Sequence, residues 1–191
     1  MGLVMRFVIV DLEATCWQGG RKQRPSEVIE IGAVVFDGET GQVVSEFSRF
    51  VRPVLEPVLS EFCIALTTIE QPDVDGARSF AEVFAAFVDW IGPAPFVLCS
   101  WGAYDYQQLQ LDCRRNGVVF PDTFEHYVDL KQFFADVWGV APCGMVRALE
   151  LLGLPQEGTH HRGIDDARNI ARVVRVIAPQ LQARIVQQGW G

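Results

Sequence analysis

Asp11 and Glu13 close the first apolar run of this chain, Asp105 lies at mid-chain, and His161 precedes Asp166 near the C-terminus. Four carboxylates and one imidazole are the groups that phosphodiester hydrolysis with two bound metal ions requires: oxygens to hold the cations and a base to activate water. Side chains alternate across a strand, so Asp11 and Glu13 project from one face while Leu12 points away. Two carboxylates on one face can share a cation, although acids are also common where a strand simply ends in solvent.

The helix expected after Gly163 begins with two adjacent aspartates, and helical geometry separates their roles. Asp166 aligns with Ile170, Val174 and Ile177 on the inward stripe, whereas Asp165 aligns with Asn169 and Arg172 on the polar side. An unpaired carboxylate at the core edge is costly, and a bound metal is one way to hold it ionised; Asp165 suits the positive end of the helix dipole. His161 sits in the small, glycine-bearing loop Gly158-Thr159-His160-His161-Arg162-Gly163, a type of loop that can swing over a site. An imidazole pKa of about 6.5 lets it take a proton from water near neutral pH, a role for which His160 competes. Asp105 follows Ser100-Trp101-Gly102 and opens a helix. Its plain reading is an N-cap with Gln108 as capping-box partner. The carboxyl end of a strand is also where open α/β sheets place their ligands.

Residues 5–12, 28–36 and 43–51 read as a three-stranded meander, with the turn Asp37-Gly38-Glu39-Thr40-Gly41 between the second and third strands. From Ser79 the period changes: Phe80, Val83, Phe84, Phe87, Val88 and Ile91 recur at helical spacing until Gly92-Pro93, and these aromatics read as core. A fourth strand follows at 96–100, a helix at 104–116 and a short fifth strand at 127–130, with further helices at 131–138, 144–152, 164–177 and 180–188. The expected fold is α/β, a mixed five-stranded sheet flanked by helices.

At 191 residues, 49% hydrophobic and 21% charged, the chain fits one domain over 1–191, with a core at about 5–178 and a C-terminal helix at 180–188. A net charge of -8 excludes a protein that coats nucleic acid through an extended basic surface, but not one that grips a strand at its end. Arg21-Lys22-Gln23-Arg24-Pro25 is the most basic stretch, either a phosphate contact or a solvated loop. Cysteines 16, 63, 99, 113 and 143 are odd in number and form no CxxC pair, which points to a reducing, cytoplasmic setting. Phe7-Val8-Ile9-Val10 is too short for a signal sequence or a membrane span, and the N-terminus lacks a myristoylation pattern.

Assembled in order, the motifs Asp11-Leu12-Glu13-Ala14-Thr15-Cys16, Glu30-Ile31-Gly32-Ala33-Val34-Val35, Ser100-Trp101-Gly102 leading to Asp105, and His161-Arg162-Gly163-Ile164-Asp165-Asp166-Ala167 resemble a DEDDh-type 3′-to-5′ exonuclease of the DnaQ-like superfamily, with an RNase H-like fold. The resemblance covers about residues 5–178. Asp-x-Glu-Ala-Thr-Cys together with Leu59-Ser60-Glu61-Phe62-Cys63-Ile64-Ala65-Leu66-Thr67 resembles the branch of Eri-type exoribonucleases and bacterial sporulation-kinase inhibitors, which turns the expectation toward RNA. The spacing of His161 from Asp166 matches the histidine subtype.

The resemblance implies that Asp11, Glu13 and Asp166 hold the metal that activates water, that Asp11 bridges to a second metal completed by Asp105, and that His161 is the general base. Two divalent ions, Mg²⁺ or Mn²⁺, suit an all-oxygen site. It further implies that Phe62 and Trp101 stack on the terminal base, with Leu12, Ala14 and Thr15 beside it, and that the products are nucleoside 5′-monophosphates. The expected partner is the 3′ end of single-stranded RNA or a short 3′ overhang, with no membrane and with a protein partner left open. Two alternatives remain at this stage: a DNA-directed exonuclease of proofreading or repair type, and a regulatory docking protein that keeps the fold.

Overall fold

The computed structural model describes residues 6–19 and 25–190, so the basic residues 21–24 lie outside the described residues. Strands β1 (Arg6–Ala14), β2 (Val28–Asp37) and β3 (Gln42–Phe50) form the meander. Helices α1 (Glu61–Thr67), α2 (Gln71–Asp75) and α3 (Phe80–Ile91) follow, then β4 (Val97–Ser100), α4 (Tyr104–Arg115), β5 (Tyr127–Asp129), α5 (Leu130–Trp138), α6 (Met145–Leu151) and α7 (Gly163–Gln188). The sheet order is β3-β2-β1-β4-β5, with β1, β2 and β3 antiparallel and β4 and β5 parallel to β1. This is the expected mixed five-stranded α/β sheet.

β1 is buried on both faces, which is why it reads as a continuous apolar run. Phe7 and Ile9 join a core with Phe134, Leu149, Ile170 and Val174 from α5, α6 and α7; Val8, Val10 and Leu12 join the opposite core with Phe84, Phe87 and Leu109 from α3 and α4. The same alternation carries Asp11 and Glu13 out on the α7 side. A register shift between Glu13 and Ala14 in the β1–β2 pairing marks the place where the strand leaves the core for the site.

Two features depart from the expectation. α7 is one continuous helix through Pro179, not two: buried Ile177, Ala178, Leu181 and Ile185 flank the proline, and this packed stripe carries the helix past the missing backbone donor. The stretch between β3 and α3, unassigned from periodicity, holds α1 and α2, each too short to show a helical repeat. Their boundaries are set by local chemistry: the Ser60 hydroxyl accepts from Cys63 N, and Thr68 closes α1 at φ 59°. No described helix is long and apolar enough to cross a membrane, and all five cysteines are free thiols.

Candidate active site

α7 reaches the sheet through a backbone-to-backbone crossing. A Cβ on Gly32 would lie 2.0 Å from the Gly163 carbonyl carbon, and one on Gly163 would lie 2.8 Å from Asp11 O, so only glycines permit this approach. The crossing seats the first turn of α7 on β1 and β2. Asp166, three residues into the helix, therefore meets Asp11 and Glu13, and each of the three offers a carboxylate oxygen within 4.8 Å of the other two.

Asp105 arrives from the other side of the sheet. It is not an N-cap: that position belongs to Ala103, and Asp105 lies in the first turn of α4 with its Oδ1 accepting from Leu12 N at 2.9 Å. Gln108 makes no capping box either; its amide donates to Ser26 O at 3.0 Å and to Asp112 Oδ2 at 3.1 Å. The Leu12 bond holds the Asp105 carboxylate at the strand between Asp11 and Glu13.

Crowding of acids out of water shows in their proton affinities. Burial, then Asp105, Glu13, Asp166 and Glu30, push Asp11 well above the usual carboxylate range. Glu13 is pushed up to about 9 by burial and then by Asp166, Glu30 and Asp105. Asp105 is pushed up to about 7 by burial, against the opposing pull of the Leu12 N–H. Such a cluster repels itself unless protonated or neutralised by cations, and an all-oxygen set of this kind fits hard divalent ions.

The two histidines sit over Asp166. His160 Nδ1 lies 2.9 Å from Asp166 Oδ2 and 3.1 Å from Oδ1, while the backbone N–H of His161 donates to Oδ2 at 2.9 Å. His161 adopts φ 63°, which folds its ring back against that of His160 with centroids 3.9 Å apart. Burial and the neighbouring His160 lower the His161 pKa below the ordinary value of 6.5, with Asp166 pulling the other way. The loop is tied down rather than free to swing. Asp165 Oδ2 accepts from Thr159 N at 2.9 Å, and Asn169 donates to Glu157 O at 2.7 Å and accepts from Glu157 N at 3.1 Å. Asn169 is thus buried, not on a polar face as its spacing suggested, because its amide satisfies this loop.

A cleft of 380 Å³ opens over these groups. Its floor holds Asp11, Glu13, Asp105, Asp166, His160 and His161, and its walls include Leu12, Ala14, Leu66, Trp101, Met145 and Val146. Trp101 faces the cleft while its Nε1 donates to Cys143 O at 3.0 Å and its ring packs on Phe134. Thr15 and Phe62 are outside the lining. The Thr15 hydroxyl is buried and accepts from Glu27 N at 3.0 Å; Phe62 is 39% exposed on α1, and Leu66, one turn on, takes the wall position. Glu30 escaped the sequence reading as a site-building residue, although a lone acid in the apolar run of β2 was the available signal. Fully buried, it accepts from Arg162 Nε and Gly163 N, each at 3.1 Å, directly behind His161.

Known proteins resemble this chain in both sequence and fold. Human ERI1 exoribonuclease 2 is 31% identical over 86% of this chain, which spans only 27% of that relative's length. The 3′-5′ exonuclease Snipper of Drosophila melanogaster is 30% identical over 87% of this chain and 67% of its own. The nuclease domain of 3′hExo, a DEDDh family member solved bound to rAMP, superposes with a TM-score of 0.89 and 28% identity, covering 94% of both chains. Residues 8–174 match the RNase_T exonuclease model, and the chain belongs to that exonuclease family.

Proposed function

We propose that this protein is a metal-dependent 3′-to-5′ exonuclease that shortens single-stranded RNA or short 3′ overhangs to nucleoside 5′-monophosphates. The observation that carries the reading is the convergence of Asp11, Glu13 and Asp166 within 4.8 Å on the floor of a cleft that also holds Asp105 and His161. Asp11, Glu13 and Asp166 would hold one Mg²⁺ or Mn²⁺, and Asp11 with Asp105 a second. Bound there, divalent ions supply positive charge against the phosphate oxygens and the departing 3′-oxygen.

The chain's own groups do the rest. His161, with its pKa lowered, is neutral at physiological pH and accepts the proton of the attacking water. The new P–O bond forms as the P–O3′ bond breaks; the shortened strand keeps a 3′-hydroxyl and the released nucleotide a 5′-phosphate. Leu66, Trp101 and Met145 give the terminal base an apolar surface that excludes water without reading its edges. Similarity to exoribonucleases and to a domain solved with rAMP supports RNA over DNA. Chromatography of the products tests the chemistry: 5′-monophosphates are expected, and 3′-monophosphates or cyclic phosphates would contradict it.

A further inference from the structure

We propose that His160, His161 and Asp166 form a second kind of metal site, one for a borderline-soft ion of the zinc type, whose occupation shuts the enzyme down. The three residues each offer one ligand atom, all within 4.8 Å of one another. The set is two imidazoles and one carboxylate, a donor combination that zinc accepts with a water in the fourth position, whereas Mg²⁺ prefers oxygen alone. Ligands at about 2.0 to 2.1 Å around a tetrahedral ion stand roughly 3.3 Å apart. His160 Nδ1 already stands 2.9 and 3.1 Å from the two Asp166 oxygens, so an ion replacing the shared proton needs an opening of only a few tenths of an ångström.

The third ligand is brought in by the backbone. The left-handed conformation of His161 brings a ring nitrogen within 4.8 Å of His160 and Asp166, and a turn of its ring off the His160 stack, where the centroids lie 3.9 Å apart, aims that nitrogen at the shared ion. Thr159 and Glu157, tied to Asp165 and Asn169, hold the loop backbone in place, so binding asks for a turn of the His161 ring rather than ordering of the loop. His160 is 41% exposed along its side chain, which leaves an entry path from solvent.

The inhibitory consequence rests on the exonuclease reading. An ion held here would occupy the nitrogen that takes up the water proton and would draw Asp166 away from Asp11 and Glu13. Zinc-type ions would therefore act against Mg²⁺ through shared use of Asp166, while Mg²⁺ itself would ignore His160.

Binding is tested on the full chain by titrating ZnCl₂ calorimetrically in Mg²⁺-free buffer, so the result does not depend on nuclease activity. His160→Ala and His160→Gln are expected to lose on the order of ten-fold or more in zinc affinity, and Asp11→Asn to keep it. Wild-type affinity in both His160 variants, or loss of the zinc site in Asp11→Asn with His160 intact, would overturn the proposal by placing zinc on the carboxylates. If the exonuclease reading holds, the zinc concentration that halves each protein's own Mg²⁺-supported rate rises in the His160 variants in step with the calorimetric loss. A halving concentration unchanged from wild type would overturn the inhibitory role.

Discussion

Glu30 and Arg162 are joined by an ion pair of 3.1 Å across 132 residues of sequence, and the same Glu30 oxygen also accepts from Gly163 N. The Glu30 side chain has no solvent exposure and the Arg162 side chain is 27% exposed. The pair locks the start of α7 to β2 immediately behind His161. Removing the acid strands a buried N–H and a half-sheltered cation, so Glu30→Ala should lose about 3 kcal/mol, and Glu30→Gln, which keeps an acceptor, about half that. Urea denaturation checks the stability. Because the damage falls on the loop that presents His161, kcat should drop more than KM rises.

The glycine crossing makes a sharper prediction. A methyl at Gly32 meets the backbone of Gly163 and Ile164 at 2.0 to 2.1 Å, and neither is the end of a flexible side chain. Gly32→Ala should push α7 off the sheet, lowering stability by about 3 kcal/mol or more and abolishing activity. A thermal melt compared with Gly144→Ala, where nothing lies within 4 Å of the added carbon, separates the clash from a general glycine effect.

Metal-free stability should fall as pH rises. Glu13 titrates near 4.5 when unfolded and is pushed up to about 9 when folded, so between those values the native state binds the extra proton. Native stability is therefore full below the lower value and is lost as pH climbs toward the upper one. Melting temperatures in EDTA from pH 5.5 to 8.5 should decline, and Glu13→Gln should flatten that slope. Mn²⁺ should raise the melting temperature most at the alkaline end.

The pH dependence of turnover should show the state of His161. Its pKa lies below 6.5, so the acidic limb of kcat should turn up below that value and plateau above it. His161→Ala should reduce kcat by about 10² to 10⁴ and remove that limb.

The apolar wall assigns different weights to its candidates. Leu66 lines the cleft and Phe62 does not, so Leu66→Ala should raise KM for a short oligonucleotide more than Phe62→Ala. Trp101→Ala should raise KM too, but with a stability loss of about 3 kcal/mol, because the same ring packs on Phe134 in the core. Steady-state kinetics beside denaturation curves checks both.

Much of this arrangement was legible in the residues. Alternation along β1 put Asp11 and Glu13 on one face, and the stripe of Ile170, Val174 and Ile177 pointed Asp166 inward, because both follow from periodicities of the local backbone. What escaped depended on partners distant in sequence. Asn169 reads as surface until the Glu157 backbone is seen against it. Asp105 reads as a helix cap until Leu12, 93 residues away, claims it. Pro179 reads as a stop because its effect on the backbone is local, whereas the packing that carries α7 past it is not. Leu66 lines the cleft one turn beyond Phe62, and the residues of so short a helix do not reveal by period which of them reaches a cleft.

The most direct test of the central claim is to incubate the protein with matched 5′-labelled single-stranded RNA and DNA, in Mg²⁺ or Mn²⁺, beside EDTA and Asp11→Ala controls. The predicted result is a metal-dependent ladder that shortens from the 3′ end, runs faster on RNA, and is absent in both controls. A ladder that persists in Asp11→Ala, or internal cuts in place of stepwise shortening, would contradict the account.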